Sequence, residues 1–229
     1  MGQLESILLA GLTGILSGFA LAIPAGPVNL TIMNEGAQRG FKRAALIGLG
    51  ATVMEVIYCF VAFTGFAGLL QGHYIKEGMQ LFTFVFFLFL GVKFLMARSV
   101  HIPVSLGARA HMMEEKIQQR WNPHSAFMIG FVRVMANLGV LVFWIFLAAY
   151  FIDHGWVPPE RTGKLACVTG VALGVAAFYF VLSFVASRGH GKLSEKTLLR
   201  MEHGSGVGLL ALALIHGIQI ILRMSKYGI

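Results

Sequence analysis

The stretch that decides the fold is ILLAGLTGILSGFALAIPAGPVNLTIM, residues 7–33. It carries no charged residue, and as a helix it is long enough to cross about 30 Å of hydrocarbon. Pro24, Gly26 and Pro27 interrupt it, because each proline lacks an amide hydrogen and clashes with the preceding turn, while glycine relaxes the backbone. The stretch therefore predicts a membrane-spanning helix that is broken at Pro24–Pro27.

The rest of the chain is also apolar. Hydrophobic residues make up 57% of its 229 residues and charged residues 12%, about half the charged share of a soluble domain, and the mean hydropathy is +0.76. Further apolar runs lie at 44–70, 79–97, 126–152, 165–187 and 205–222. We therefore predict an all-α integral membrane protein with six transmembrane helices in a single domain, 1–229.

The basic residues predict an orientation. Six helices sort the connecting segments into two alternating sets, one of them much richer in Lys and Arg. The richer set is Arg39, Lys42, Arg43, Lys93, Arg98, Arg109, Lys116, Arg120, Arg188, Lys192, Lys196 and Arg200, and the poorer set is Lys76, Arg161, Lys164, Arg223 and Lys226. Because basic loops stay in the cytoplasm, we expect both termini to lie outside, in a multi-pass protein of a bacterial-type plasma membrane.

Two successive triplets of helices have opposite orientations, as in the inverted repeats of many transporters. The predicted 3+3 repeat has halves at about 1–97 and 124–229, joined by a cytoplasmic loop at about 98–123. Weak sequence similarity supports it: Gly18-Phe19 before Pro24 resembles Gly130-Phe131 before Asn137, and Gly50 to Tyr58 loosely parallels Val171 to Tyr179.

The break in the first helix is a candidate binding site. It places a helix N-terminus, with free amide groups and partial positive charge, inside the membrane, where it suits a carboxylate. We predict that Pro24, Gly26, Pro27 and Asn29 contact substrate. The alternative is a simple packing kink.

Glu55 lies about 12 residues into the second helix, roughly 18 Å along it and near mid-bilayer. Its face of the helix is small and polar: Gly48, Ala51, Thr52, Tyr58, Cys59 and Ala62. The opposite side, suited to lipid, carries Leu49, Val53, Ile57, Phe60 and Phe63. Glu55 should therefore point into the bundle, where it can carry a coupling proton or contact an ammonium group; the alternatives are a structural ion pair and a neutral, hydrogen-bonded acid.

Arg133 and Asn137 are four residues apart in the fourth helix and share a face. Arg133 can hold a substrate carboxylate, pair with Glu55, or extend to the cytoplasmic side. Asn137 is too short to leave its depth, so it bridges helices or contacts substrate.

His216, one turn before Gln219, is predicted to be buried in the last helix, as a proton relay or as an interhelical hydrogen bond. Three glycine pairs have the four-residue spacing of close helix packing: Gly14/Gly18, Gly170/Gly174 and Gly204/Gly208. A homo-oligomer is compatible with these pairs but is not required by them.

Several function classes lack their signatures. The basic residues that give the net charge of +8 lie between apolar runs and accompany no nucleic-acid motif, so no nucleic-acid partner is expected. His101, His111 and His124 do not have metal-ligand spacing. The chain shows no ATPase motif and no catalytic constellation. We therefore expect neither an enzyme nor a metal or other cofactor.

The stretch Pro24 to Asn29, followed by Asn34-Glu35-Gly36 and Arg39-Gly40, resembles the LysE-type translocators, amino-acid exporters whose first helix carries a Pro-Gly-Pro signature. The spaced form Pro-x-Gly-Pro-x-Asn looks most like the lysine and arginine exporter branch. Gly40, Gly50 and Glu55 match the family's second-helix pattern, and Gly130 to Asn137 with Phe143-Trp144 matches its second-half motif.

Some positions depart from that pattern. Ala44 and Met54 stand where the family often has Gly, and Glu55 replaces the commoner Asp. Leu138 replaces the Pro after Asn137, so we expect the fourth helix to be less broken than the first.

The resemblance implies a secondary exporter of amino acids in the lipid bilayer, driven by a proton gradient or the membrane potential. A rival is an exporter of another small metabolite, or of a metal ion held by Glu55, Asn29 and Asn137. A second rival is a membrane scaffold or enzyme that does not transport.

Overall fold

The computed structural model describes residues 2–24, 26–65, 73–97, 125–188 and 195–227; within these, side chains are not described at 73–77, 79, 195–198 and 223–227. The described residues form eight α-helices. These are α1 (Gln3–Ala22), α2 (Pro27–Arg39), α3 (Phe41–Gly65), α4 (His73–Leu95), α5 (Ala126–Ala136), α6 (Leu138–Asp153), α7 (Arg161–Arg188) and α8 (Glu195–Tyr227). The loop predicted at about 98–123 lies outside the described residues.

The interruption expected at Pro24–Pro27 is present. Helix α1 ends at Ala22, just before the first proline, and α2 starts with Pro27 at its first position. A proline is well tolerated there, because the first amide of a helix has no intrahelical partner. Gly26, the residue before α2, is extended, with φ −97° and ψ 179°.

Gly40 joins α2 directly to α3. Its φ of +84° is a conformation that side chains disfavour, and its amide still bonds Gly36 at 3.0 Å. At this corner Glu35 forms ion pairs with Arg43 and with Arg39, the latter at 3.7 Å. The corner therefore holds charges that the apolar parts of the helices exclude.

The fourth apolar run is divided at one residue, Asn137, whose φ and ψ are −87° and 80°. Helices α5 and α6 meet there with a bend of 66°. Leu138 predicts a helix that is less broken than the first. The gap between α5 and α6 is indeed shorter than the gap between Ala22 and Pro27, but the helices still bend sharply. The sharp bend shows that a helix can turn here without the proline.

Four described helices are long and apolar enough to cross a membrane: α1, α3, α7 and residues Leu199–Leu222 of α8. The bent pair α5 and α6 makes a fifth. In α4 the apolar stretch Gln80–Leu95 is shorter than this criterion requires. Length and composition of the described residues therefore support four or five spans, and the protein is a multi-pass helical membrane protein.

The bundle is held by helix pairs that touch through glycines. Helix α1 packs mainly on α7, α5 on α3, and α4 on α8. A Cβ atom added to Gly14 would overlap the carbonyl oxygen of Cys167, and one added to Gly174 would overlap that of Ile15. A Cβ atom added to Gly50 would overlap the backbone of α5, and one added to Gly130 would overlap the backbone of α3. The backbones of these pairs are therefore in direct contact.

Two of the three glycine pairs predicted to pack closely do so, Gly14/Gly18 and Gly170/Gly174. The prediction for Gly204/Gly208 is wrong. A Cβ added to either of them would meet nothing within 4 Å, and both line a cavity instead.

The apolar exterior faces away from the bundle. On α3, Leu49, Val53, Ile57 and Phe60 are exposed, as expected for lipid-facing residues. Phe63, predicted to join them, is fully buried. The helix periodicity places Phe63 at the edge of the apolar side, and packing with its neighbours in the core covers it.

Candidate functional site

A cavity of about 440 Å³ lies between the helices, and every described helix contributes to its lining. All the residues predicted to bind substrate line it: Pro24, Gly26, Pro27, Asn29, Glu55, Arg133 and Asn137. Tyr179 and Ser205 are its other polar lining residues. Most of the remaining wall is apolar, including Leu21, Val140, Phe143, Trp144 and Leu209.

Asn29 closes the break between α1 and α2. Its side chain is buried, and its amide nitrogen donates to the carbonyl oxygens of Ala22 at 2.9 Å and of Pro24 at 2.8 Å. At the break these carbonyls lack the regular bonds of a helix, and in hydrocarbon they need other donors; the carbonyl of Pro24 also accepts from the amide of Gly26 at 2.8 Å. The amide nitrogen of Asn29 thus serves the backbone, although the residue lies beside the cavity as predicted.

The start of α2 faces the cavity. Pro27 and Val28, in its first turn, both belong to the lining. The first amides of a helix have no intrahelical partner and carry partial positive charge. This end of α2 is therefore suited to a negatively charged group.

The second break is arranged differently. Tyr58 on α3 donates its hydroxyl to the carbonyl oxygen of Met135 at 2.6 Å, next to the end of α5. The side-chain oxygen of Asn137 is buried and has no hydrogen-bond partner among the described residues. Asn137 itself lines the cavity, so a donor bound there is a candidate partner for this oxygen once the side chain turns toward it.

Glu55 is buried, with 6% of its surface exposed, and one of its oxygens accepts a hydrogen bond from the hydroxyl of Tyr179 at 2.7 Å. It forms no ion pair with Arg133. The ion pair between Glu55 and Arg133, one of the alternatives that the sequence left open, is therefore absent.

Sequence reasoning missed Tyr179 as the partner of Glu55. A signal was present, because Gly50 to Tyr58 parallels Val171 to Tyr179, and this similarity places a tyrosine on α7 as Tyr58 stands on α3.

Arg133 is half-buried on α5 and lines the cavity. Its guanidinium group has neither a hydrogen-bond nor an ion-pair partner among the described residues. Arginine binds carboxylates with two parallel hydrogen bonds. An anion in the cavity would give this cation the partner that the described residues do not supply.

His216 does not line the cavity. Its Nε2 lies 3.1 Å from the carbonyl oxygen of Gln80 on α4, and its ring packs against Tyr150, with 5.0 Å between centroids. Nearby, Gln80 donates to Asp153 at 2.7 Å, and His154 bonds Gln219. His216 thus belongs to a polar cluster that connects α4, α6 and α8.

Glu202 on α8 is a second buried carboxyl, 2% exposed, which the sequence reasoning did not single out. Its Oε2 is buried without a hydrogen-bond partner among the described residues. Lys93 and His203 are the charged groups that act on it. Its neighbours Met201 and Ser205 line the cavity, but Glu202 does not.

Interrupted helices around a central cavity with buried charged groups are the features of a membrane translocator. A comparison with protein-family models agrees, since the family described as LysE type translocator matches residues 19–219. The chain belongs to this family. It is therefore a transporter and not an enzyme.

A Bacillus subtilis (strain 168) protein named "Putative amino acid efflux protein YcgF" is 25% identical over 215 residues, which cover 93% of this chain and 97% of that protein. No solved structure matches the chain significantly.

Proposed function

We propose that the protein exports amino acids across the cytoplasmic membrane as a secondary transporter. The observation that carries the proposal is that one cavity presents groups of both signs. The start of α2 and the unpartnered guanidinium of Arg133 suit a carboxylate, and Glu55 suits an ammonium group. The name of the Bacillus subtilis relative supports the same substrate class.

The proposed architecture is one transmembrane domain built as a 3+3 inverted repeat, with halves at about 1–97 and 124–229. An exchange of halves would pair α1 with α5, α2 with α6, α3 with α7, and α4 with α8. Under this exchange the α1–α7 contact corresponds to the α5–α3 contact. Both contacts are extensive and both are made by glycines. The α3–α7 and α4–α8 contacts would map onto themselves. These relations support the repeat.

Six spans follow if α1 and α2 form the first and α4 forms the third. Helix α4 runs over 23 residues, His73–Leu95, about 34 Å as a helix. Its exposed residues Leu81, Phe82, Val85 and Phe89 suit lipid. The Lys and Arg distribution then places both termini outside.

The proposed driving force is a proton gradient or the membrane potential. Glu55 and His216 are the candidates for the coupling proton. Glu55 is better placed, because it lines the cavity while His216 lies in the cluster between α4, α6 and α8. A carboxyl group beside the substrate site can exchange a proton for a substrate ammonium group.

The cavity supports a metal-ion exporter or a scaffold less well than it supports an amino-acid exporter. A metal ion held by Glu55, Asn29 and Asn137 would share the cavity with the positive charge of Arg133, which repels it. A scaffold has no need of a cavity lined by every helix or of an unpartnered internal arginine.

Exchange in proteoliposomes tests the proposal. Vesicles loaded with an excess of one unlabelled amino acid should accumulate the same labelled amino acid, and an imposed pH gradient should drive net transport. Exchange of metal ions with no exchange of any amino acid would overturn the proposal.

A second experiment tests the coupling role of Glu55 with a single substitution. Glu55→Gln should abolish gradient-driven transport and slow exchange without stopping it, since the variant loses both the coupling proton and the charge that faces the substrate ammonium group, and Glu160→Gln, at an exposed position between α6 and α7, is the matched control. Gradient-driven transport that persists in Glu55→Gln would remove Glu55 from the coupling role.

A further inference from the structure

We infer that the exported substrate is a neutral amino acid with an apolar side chain, of the leucine, methionine or phenylalanine type, and not a dibasic one. This inference rests on the proposed export of amino acids. It follows from the charges and the wall of the cavity.

The cavity lining contains one carboxyl group and one cation, Glu55 and Arg133. The head group of any amino acid uses both, since its carboxylate pairs with a guanidinium and its ammonium with a carboxylate. One oxygen of Glu55 is already occupied by Tyr179. The other oxygen, together with the unpartnered oxygen of Asn137, provides the acceptors that one ammonium group requires.

A dibasic amino acid brings a second cation. The described residues of the lining offer no carboxyl group other than Glu55 to receive it, and Arg133 adds like charge to the same cavity. A buried charge without a partner is strongly unfavourable. The cavity therefore disfavours lysine and arginine, because burying their side-chain charge without a partner costs free energy.

Glu202 does not add a second carboxyl group to the cavity lining. It is buried beside the cavity but is not part of its lining. Lys93 on α4 and His203 on α8 are the charged groups that act on it. Its carboxyl group lies outside the cavity lining and so does not face the substrate.

The rest of the wall is apolar and suits a side chain of the same kind. Phe143 and Trp144 come from α6, Leu90 and Phe94 from α4, and Leu212 from α8. The volume of about 440 Å³ lies within the range of cavities that enclose small ligands. Such a wall stabilises an apolar side chain by removing it from water.

Exchange rates of four amino acids test the inference with the wild-type protein. Proteoliposomes loaded with unlabelled leucine, phenylalanine, lysine or arginine are each given the same amino acid in labelled form. Leucine or phenylalanine should exchange at least about tenfold faster than lysine and arginine. Lysine or arginine exchange within tenfold of the faster apolar amino acid would overturn the inference and leave amino-acid export intact. No exchange of any amino acid would overturn both.

A gain of specificity provides a second test. Ser205 lines the cavity, so Ser205→Asp adds the missing carboxylate, and the ratio of lysine to leucine exchange should rise at least about tenfold. Ser187→Asp, at the exposed end of α7, should leave the ratio unchanged. An unchanged ratio in Ser205→Asp that elutes as the wild type in gel filtration would overturn the inference. If this variant does not fold, the wild-type rates decide.

Discussion

The buried polar side chains of this protein divide into two groups. Asn29 and Tyr58 donate to backbone carbonyls beside the two helix breaks and so maintain the breaks in an apolar environment. Glu55, Arg133 and Asn137 keep groups that the described residues do not satisfy. The first group supports the backbone, and the second is available to a substrate.

Tyr179→Phe tests whether the hydroxyl that bonds Glu55 positions the carboxyl group. Its removal should lower the transport rate about tenfold, since it leaves a buried carboxyl without this hydrogen bond. Tyr150→Phe is the matched control, because the Tyr150 hydroxyl has no partner among the described residues. Similar rates for the two variants in the exchange assay would show that Tyr179 does not position Glu55.

Asn29→Ala tests the closure of the first break. The variant leaves the carbonyl of Ala22 without the amide of Asn29 and that of Pro24 with the amide of Gly26 alone, and we expect a loss of about 1–3 kcal/mol in the free energy of unfolding. Thermal unfolding in detergent measures it. Asn34→Ala, whose side chain accepts an exposed bond from Gln38, should change stability little. A melting temperature of Asn29→Ala equal to that of wild type would contradict this role.

Helix contacts made by glycine set the shape of the bundle. Gly50 and Gly130 bring α3 against α5, as Gly14 and Gly174 bring α1 against α7. The interrupted helices α5 and α1 thus each pack on a long helix, α3 and α7. These contacts place both breaks at one cavity.

Gly130→Ala should destabilise the protein by about 1–3 kcal/mol, because the added methyl group overlaps the backbone of Ile47, which cannot move as a side chain can. Gly78→Ala, on α4 with nothing within 4 Å of the added atom, should be neutral or slightly stabilising. Urea or thermal unfolding in detergent measures the stability of the two variants. Equal stability of the two variants would mean that α3 and α5 are not in backbone contact.

The orientation of the molecule can be read from cysteine labelling. Cys59 and Cys167 are buried, so the native protein supplies the unlabelled baseline. We expect Ser105→Cys, in the loop predicted to be cytoplasmic, to resist an impermeant thiol reagent applied to intact cells, and Glu160→Cys to react. The reverse pattern would place both termini inside.

Movement between the halves can be tested at the polar cluster. Gln80 on α4 bonds Asp153 on α6 at 2.7 Å, and the proposed repeat places these helices in different halves. A short thiol cross-linker applied to Gln80→Cys/Asp153→Cys should stop transport, and the two single variants should remain active after the same treatment. Full transport by the cross-linked protein would contradict a mechanism in which the halves separate here.

The amino-acid sequence by itself determined the helical membrane class and the position of the first break. Both follow from local chemistry: long apolar runs require a bilayer, and two prolines around a glycine interrupt a helix wherever they stand. The inward position of Glu55 also followed, because the face it shares with small residues is read from helical periodicity.

Only the tertiary structure decided which polar groups are satisfied by the protein and which remain for a ligand. Asn29 bonds the chain's own carbonyls, Tyr179 reaches Glu55 from a helix more than a hundred residues away, and Arg133 has no partner among the described residues. Phe63 and the pair Gly204/Gly208 were misjudged for the same reason. Whether a side chain meets a neighbouring helix, lipid or a cavity depends on the packing of distant segments, which the periodicity of a single helix does not encode.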